Sequence, residues 1–186
     1  ASVIAAAKVQ NIGFAGLAPG AVVLPVRVAD TGVNEQRDEV TVADMVEALT
    51  WAADNGARVI NVSVYFTADH AALRAAVTYA QQKGALVVAA VGNHHDANAA
   101  GPDATPYPAA YPGVLGVGAI NEDGGRLPES YVGPHVDVVA PGGRVVAAAR
   151  VGGHSEVSGT SFAAPFVSAT AALLLAADGT LTADRV

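Results

Sequence analysis

The sequence contains no cysteine, one methionine and one tryptophan. The absence of cysteine excludes a disulfide scaffold, a thiol nucleophile and zinc held by cysteine ligands. Positive charge is also scarce, because 10 lysines and arginines stand against 17 aspartates and glutamates, and the formal net charge is −7. No basic run offers a surface to nucleic acid or to an anionic membrane, so we expect neither as a partner.

A membrane span within the chain is not expected either. The longest uncharged stretch, residues 157–177, is long enough to cross a bilayer, but its first half is polar and is followed by Pro165. The apolar residues at the start of the chain have no basic residue before them, unlike a signal peptide. We interpret them as the tail of a helix that is already under way.

Apolar residues make up 52% of the 186 residues, which suits one domain, residues 1–186, with a packed core. Apolar runs without alternation predict buried strands, and segments with helical spacing lie between them. The predicted strands are 22–28, 59–64, 85–91, 114–120 and 136–139, and the predicted helices are 41–54, 69–83 and 160–177. Short connections between them favour right-handed crossovers, so the predicted fold class is α/β, with a three-layer, doubly wound parallel sheet.

Two polar residues stand where such a sheet places its ligands. Asn93 follows the carboxyl end of the strand at 85–91, and Ser161 lies in the first turn of the last helix, where Pro165 is tolerated near the helix start. A serine there has helix N–H groups beside it that can stabilise an oxyanion. The alternative is that Ser158, Thr160 and Ser161 only cap the helix, and on the residues alone capping is the commoner role.

The segment around Ser161 resembles a specific signature. Residues 159–165 read Gly-Thr-Ser-Phe-Ala-Ala-Pro, similar to the nucleophile motif Gly-Thr-Ser-x-Ala-x-Pro of the subtilisin-like serine peptidases. Further segments match that family in the same order along the chain, at 16–21, 59–63, 87–93, 107–119, 130–134 and 136–142. The chain is therefore identified as a member of the family over essentially its whole length. It is similar in particular to the mycosins, which implies an extracellular or cell-envelope location.

The resemblance implies a serine endopeptidase that cleaves polypeptides through an acyl-enzyme. Ser161 would be the nucleophile, and the Asn93 amide and the Ser161 N–H would hold the oxyanion. The substrate-binding residues that it implies are Ser63, Val64, Tyr65, Ala90, Val91, Gly92, Gly159 and Thr160. Tyr65 stands where the family has a glycine, so the primary specificity pocket is expected to be narrowed or this segment to bend differently.

The other two members of the family's triad are not found in this chain. The triad runs Asp, His, Ser, and the sequence starts just after the expected histidine motif, so we interpret it as an N-terminally truncated peptidase domain that is nearly inactive alone. Five other histidines could be considered as the general base: His70, His94, His95, His135 and His154. None has a matching motif, and we expect each to be a solvated loop histidine.

A second hypothesis is a non-catalytic peptide-binding pseudoenzyme. Its folding would be doubtful, because the loss of a strand from the sheet interior exposes unpaired edges and core. Nucleotide binding is rejected, because the glycines at 13, 16 and 20 follow a helix tail and precede a strand, the reverse of a phosphate-binding loop.

No cofactor is expected to be required for catalysis. Structural calcium stays open, because Asp96, Asn98 and Asp103 offer oxygen ligands without a distinctive order. Zinc at His94, His95 and Asp96 is not expected, because adjacent side chains diverge and no third ligand has a recognisable spacing.

Overall fold

The computed structural model describes residues 1–8, 14–29, 40–94, 104–149 and 152–186. The helices are α1 (Ser2–Ala5), α2 (Val42–Asp54), α3 (Ala71–Gln82) and α4 (Thr160–Ala177), with a short 3-10 helix at Ala183–Arg185. The strands are β1 (Val59–Val62), β2 (Leu86–Ala90), β3 (Val114–Ile120), β4 (Val138–Pro141), β5 (Val145–Ala148) and β6 (His154–Val157).

Strands β1 to β4 form one parallel sheet in the order β1-β2-β3-β4. Val59 pairs with Leu86, and Val87 pairs with Val114. All five residues of β2 are buried, because this strand has neighbours on both edges and helices on both faces. The parallel sheet and its covering helices confirm the predicted α/β class.

Two helical layers cover the sheet. α2 and α3 pack on one face around Leu49, Leu73 and Val77, and α4 packs on the other face through Ala163 and Ala164. Successive residues of β2 point alternately into these two cores, as the period of a strand requires. The absence of alternation in the sequence of β2 is therefore the consequence of burial on both faces.

The start and end of α2 follow from its sequence. The Asp44 N–H donates to Thr41 Oγ1 at 3.2 Å, and the Thr41 N–H donates to the Asp44 carboxylate at 3.0 Å. This reciprocal pair is a capping box that makes Thr41 the N-cap of α2. The helix ends at Asp54 with Asn55 as its C-cap, and Gly56 then takes a φ of 78° that favours glycine.

The hairpin of β5 and β6 was not predicted from the sequence. The two strands pair antiparallel, with Val145 opposite Val157 and Ala148 opposite His154. Each strand has only four residues, and β6 is largely exposed, so neither gives a long apolar run. His154, expected in a loop, therefore lies in a strand.

The prediction of a buried strand at 22–28 is wrong. These residues belong to neither described sheet, and most of their apolar side chains are exposed, with Val22 97% exposed and only Val28 packed against the core. Apolar β-branched residues form a strand only where a neighbouring strand accepts their backbone hydrogen bonds, and no described strand pairs with them. Residues 22–28 and the outer edge of β1 instead line an open groove of about 710 Å³.

Among the described helices, α4 is long and apolar enough by composition to cross a membrane. It packs against the sheet, where it contacts β1, β2, β3 and β4. Ala163, Ala164 and Ala169 are fully buried in these contacts. α4 is thus placed as a core helix of the fold.

The packing around α3 predicts a large effect of truncation at Leu73. The Leu73→Ala variant should lose about 2–5 kcal/mol of unfolding free energy, because Leu73 is fully buried and the removed methyl groups leave a cavity. Leu174→Ala is the matched control, since Leu174 is 40% exposed on α4, and it should cost less than about 1 kcal/mol. Urea unfolding of both variants measures the difference, and equal costs would contradict this assignment of the core.

Candidate active site

Three segments that are far apart in the sequence meet at the carboxyl ends of β1 and β2. Ser63 directly follows β1, Asn93 lies just beyond β2, and Ser161 is the second residue of α4. The Thr160 N–H donates to Asn93 Oδ1 at 2.9 Å, and Ser63 Oγ donates to the Ser161 carbonyl oxygen at 3.0 Å. The structure thus brings together the two residues that the sequence singled out, Asn93 and Ser161.

The contact between Ser63 and Ser161 explains how α4 accommodates a proline. Pro165 is the sixth residue of α4 and therefore lies beyond the first turn of the helix. In a regular helix the N–H of residue 165 would donate to the carbonyl of Ser161, and proline has no N–H to give. Ser63 Oγ occupies that acceptor instead, so the carbonyl remains paired. In return, Ser161 Oγ donates to the Ser63 carbonyl oxygen at 3.2 Å.

Two further residues are linked to Ser63 by side-chain hydrogen bonds. Asn61 Nδ2 donates to Ser63 Oγ at 3.0 Å, and Ser168 Oγ donates to Asn61 Oδ1 at 2.9 Å. The hydrogen bonds therefore run from Ser168 through Asn61 and Ser63 to Ser161. Asn61 and Ser168 were not predicted as site residues, although an asparagine inside an apolar strand is a signal that a buried partner is required.

The hydrogen bonds of Asn93 fix the direction of its side chain. Oδ1 accepts from the Thr160 N–H and from Thr160 Oγ1 at 3.2 Å, and Thr160 is fully buried. Because a backbone N–H can only donate, the amide oxygen must face Thr160, which leaves Nδ2 as a donor for something else. The Gly92 N–H donates to Thr160 Oγ1 at 3.2 Å and ties the end of β2 to the same threonine.

Two N–H donors therefore remain beside the Ser161 hydroxyl. Neither Asn93 Nδ2 nor the Ser161 N–H has an acceptor among the described residues. Ser161 lies in the first turn of α4, where backbone N–H groups have no partner inside the helix and the helix dipole is positive. A negatively charged or strongly polarised oxygen is the natural ligand of such a pair of donors.

Aromatic side chains surround the backbone at Gly92. The rings of Tyr65 and Tyr131 meet edge to face at 5.9 Å, and the Tyr131 N–H donates to the Gly92 carbonyl at 3.1 Å. Gly92 has a φ of 95°, and a Cβ there would lie 2.7 Å from the Tyr131 ring. Only glycine fits this position, and it keeps the backbone next to Tyr65.

The other predicted substrate-binding residues differ in exposure. Ser63, Val64 and Tyr65 are partly exposed. The side chains of Ala90 and Val91 are buried in the two cores, so these residues offer a ligand their backbone at most. Buried as well are Gly92, Gly159 and Thr160.

The described histidines make their contacts with residues other than Ser161. The ring of His94 packs on Tyr131 at 4.6 Å, the ring of His154 packs on Phe14 at 4.4 Å, and His70 is the residue before α3. None of the described histidines is hydrogen-bonded to Ser161 Oγ, whose partner is the Ser63 carbonyl.

His135 departs from the expectation of a solvated loop residue. Its side chain is buried, and Nε2 has no hydrogen-bond partner among the described residues. Burial lowers the pKa of His135, although the nearby Asp137 carboxylate acts in the opposite direction. The fifth histidine, His95, lies outside the described residues.

The metal predictions concern the same undescribed segment. Asp96, Asn98 and Asp103, the candidate calcium ligands, lie outside the described residues, as does His95 from the zinc pattern. Within the described ranges no group of three or more histidines, aspartates or glutamates is placed to hold a metal ion. A structural calcium at 96–103 stays a prediction.

A protein-family model described as the subtilase family matches residues 1–186. The chain is 40% identical over 172 residues to the thermophilic serine proteinase of Bacillus sp. (strain AK1), a match that covers 92% of this chain and 40% of that protein. It is 37% identical over 174 residues to thermitase of Thermoactinomyces vulgaris, covering 94% of this chain and 58% of thermitase. The chain thus spans about half the length of the curated relatives it matches.

The chain is also similar to solved structures of proteases. The protease domain of PatA, as its S218A mutant, superposes with a TM-score of 0.82 at 33% identity, covering 95% of this chain and 63% of that one. The MycP3 protease from the type VII (ESX-3) secretion system superposes with a TM-score of 0.80 at 28% identity, covering 98% of this chain and 63% of that one.

The exchange of hydrogen bonds at Pro165 predicts a coupling between two variants. Ser63→Ala should cost about 1–2 kcal/mol of unfolding free energy, because it leaves the Ser161 carbonyl without a donor. In a Pro165→Ala background the same change should cost less, because the alanine N–H can take over that carbonyl. A double-mutant cycle by urea unfolding measures the coupling, and additive effects would show that Ser63 does not compensate for the proline.

Proposed function

The chain belongs to the subtilase family, and from this premise we propose that it supplies the nucleophile and the oxyanion-binding groups of a serine endopeptidase. The observation that carries the proposal is the pair of unpaired donors, Asn93 Nδ2 and the Ser161 N–H, beside the Ser161 hydroxyl. Acyl transfer needs a nucleophile and donors that converge on one carbonyl group, and these residues provide both.

In the proposed reaction Ser161 Oγ attacks the carbonyl carbon of a peptide bond. The hydroxyl proton leaves to a general base, and the carbonyl oxygen becomes an oxyanion that accepts hydrogen bonds from Asn93 Nδ2 and the Ser161 N–H. The tetrahedral intermediate then expels the amine, which takes a proton, and leaves an acyl group on Ser161. Water releases the acyl group as a carboxylic acid and restores the hydroxyl.

The hydrogen bonds around Ser161 support this assignment. Thr160 holds the Asn93 oxygen, so the amide nitrogen is already available as a donor before a substrate binds. Ser63 holds the Ser161 carbonyl and thereby the backbone that carries the nucleophile. Donors that are fixed before the reaction need no reorganisation in the transition state, which is the source of their effect on rate.

The described residues do not supply a general base for the Ser161 hydroxyl. Ser161 Oγ donates to a backbone carbonyl, which cannot accept its proton permanently. The family resemblance assigns the base to a histidine backed by an aspartate, in motifs that are not found in this chain. We therefore propose that residues 1–186 by themselves are a nearly inactive part of the peptidase domain.

The substrate class and the location are proposed by analogy. A polypeptide substrate follows from the family, and Tyr65 next to Gly92 would restrict the side chains accepted there. An extracellular or cell-envelope location is supported by the likeness to the MycP3 protease of a secretion system.

Binding of a peptide boronic acid tests the nucleophile without needing a base. An acetylated tripeptide boronic acid should give a tetrahedral boron signal in boron NMR, and Ser161→Ala should abolish it. Asn93→Asp keeps the oxygen that accepts from Thr160 but removes the amide donor, so it should weaken binding about tenfold or more. Ser158→Ala, at an exposed serine three residues from Ser161, should bind unchanged. A tetrahedral signal that survives in Ser161→Ala would refute the assignment of Ser161.

Hydrolysis of a peptide ester tests the proposed lack of a base. In subtilisin, a member of this family, loss of the triad histidine alone lowers turnover about 10⁶-fold, so hydrolysis by the 186-residue chain should not exceed that of its Ser161→Ala variant. Hydrolysis that Ser161→Ala abolishes would mean that one of the present histidines acts as base. Binding of the boronic acid distinguishes a truncated peptidase domain from a pseudoenzyme. A pseudoenzyme without a functional oxyanion site would neither hydrolyse the ester nor bind the boronic acid.

A further inference from the structure

The main chain around Asn93 is paired with a second segment of the fold. Residues 92–94 lie beside residues 129–131 as a short antiparallel pair, with Asn93 opposite Ser130. The N–H of residue 94 donates to the carbonyl of residue 129 at 2.9 Å, and the N–H of residue 131 donates to the carbonyl of residue 92 at 3.1 Å. The residues on both sides of Asn93 are therefore tied to the segment 129–131.

This pairing holds a different part of Asn93 from the part that Thr160 holds. Thr160 fixes the side-chain oxygen, and residues 129–131 fix the main chain from which the side chain extends. The position of the donor Nδ2 depends on both contacts, because the amide is joined to the main chain by only two carbons. Such precision matters, since a misplacement of about 1 Å at a reacting centre can lower the rate about 100-fold.

The turn that leads into this segment folds around one nitrogen of Arg126. Nη1 donates to three carbonyl oxygens of the chain that follows it, those of Leu127 at 3.3 Å, Pro128 at 3.0 Å and Ser130 at 2.7 Å. Hydrogen bonds from a charged donor are stronger than those between neutral groups. Three carbonyl dipoles with their negative ends directed at one point need a positive charge there, and the guanidinium supplies it permanently.

The same turn is anchored to β3. The Leu127 N–H donates to the Ala119 carbonyl at 2.8 Å, and the Ala119 N–H donates to Ser130 Oγ at 3.1 Å. Ser130 is only 1% exposed, whereas Arg126 is exposed. Because β3 is paired on both edges within the sheet, the turn connects Asn93 to a rigid part of the fold.

We propose that Arg126 is a positioning residue for the oxyanion site. It holds the turn 127–130 in shape, and through residues 129–131 it fixes the main chain of Asn93. Within the described chain Arg126 makes no hydrogen bond to Asn93 or Ser161, so it acts only through this segment. This role rests on the proposed function, in which Asn93 Nδ2 donates to the oxyanion.

Binding of the acetylated tripeptide boronic acid to two variants tests the proposal. Arg126→Met keeps an unbranched apolar side chain and removes every donor, so it should weaken binding about tenfold or more. Arg126→Lys brings an ammonium group with three N–H donors. Because a single nitrogen of Arg126 makes all three bonds, the lysine variant should bind within about threefold of the unchanged chain.

Arg185→Met is the matched control for the loss of a positive charge. Arg185 is exposed in the 3-10 helix Ala183–Arg185, and this substitution changes the net charge by the same amount as Arg126→Met. It should bind within about twofold of the unchanged chain, since isolated surface charges contribute little. Equal weakening by Arg185→Met would show that net charge governs binding, and would overturn the proposal.

The side-chain amide of Asn93 reports its own position. Its two Nδ2 proton signals, identified by their loss in Asn93→Asp, can be followed in proton–nitrogen NMR spectra without a ligand. Arg126→Met should shift or broaden these signals, and Arg126→Lys and Arg185→Met should leave them in place. Weaker binding by Arg126→Met with unmoved amide signals would overturn the positioning role.

The amide signals also distinguish failure of this proposal from failure of the proposed function. If the unchanged chain gives no boron signal that depends on Ser161, the proposed function fails, and the NMR spectra still decide whether Arg126 positions Asn93. Urea unfolding establishes that each variant is folded. If Arg126→Met does not fold, Arg126→Gln, which keeps one donor nitrogen, replaces it and should weaken binding about threefold or more. Unchanged binding and unchanged amide signals in the variant that folds would overturn the proposal.

Discussion

The reciprocal contact between Ser63 and Ser161 is the interaction on which the rest of the site depends. It joins the end of β1 to the first turn of α4, and it holds a carbonyl that Pro165 leaves without its helical donor. With α4 fixed in this way, the Thr160 N–H reaches Asn93 Oδ1 and leaves the amide nitrogen of that residue as a donor. A proline inside a helix and the serine that compensates for it thus help to fix the position of Ser161.

The parts of the fold that could be predicted from sequence are those with a local or a two-sided signal. The uninterrupted apolar run of β2 reflects cores on both faces, and the capping residues Thr41 and Asp44 contact each other within one turn. The prediction of a strand at 22–28 is wrong because it rested on composition alone. Its composition is right, but a strand also requires a neighbour, which a run of apolar residues does not specify.

The same distinction applies to the candidate site. Asn93 and Ser161 stand in contiguous motifs, so a resemblance could identify them. Asn61 and Ser168 lie 107 residues apart and are joined by a side-chain hydrogen bond that no local pattern reveals. The burial of His135 depends in the same way on tertiary packing. The presence of Pro165 in a helix is visible in the sequence. Its compensation by Ser63 is visible only in the three-dimensional structure.

The long sequence separation between the two halves of the site affects when it can form. Ser63 and Ser161 are 98 residues apart, and β1 and β2 pair across a whole helix. Contacts of this range pay their loop-closure entropy before they gain any stabilisation, so they form late and slowly. A partly folded chain can therefore hold its helices before Ser63, Asn93 and Ser161 come together. This delay keeps Ser161 without its contacts to Ser63 until the sheet and α4 have docked.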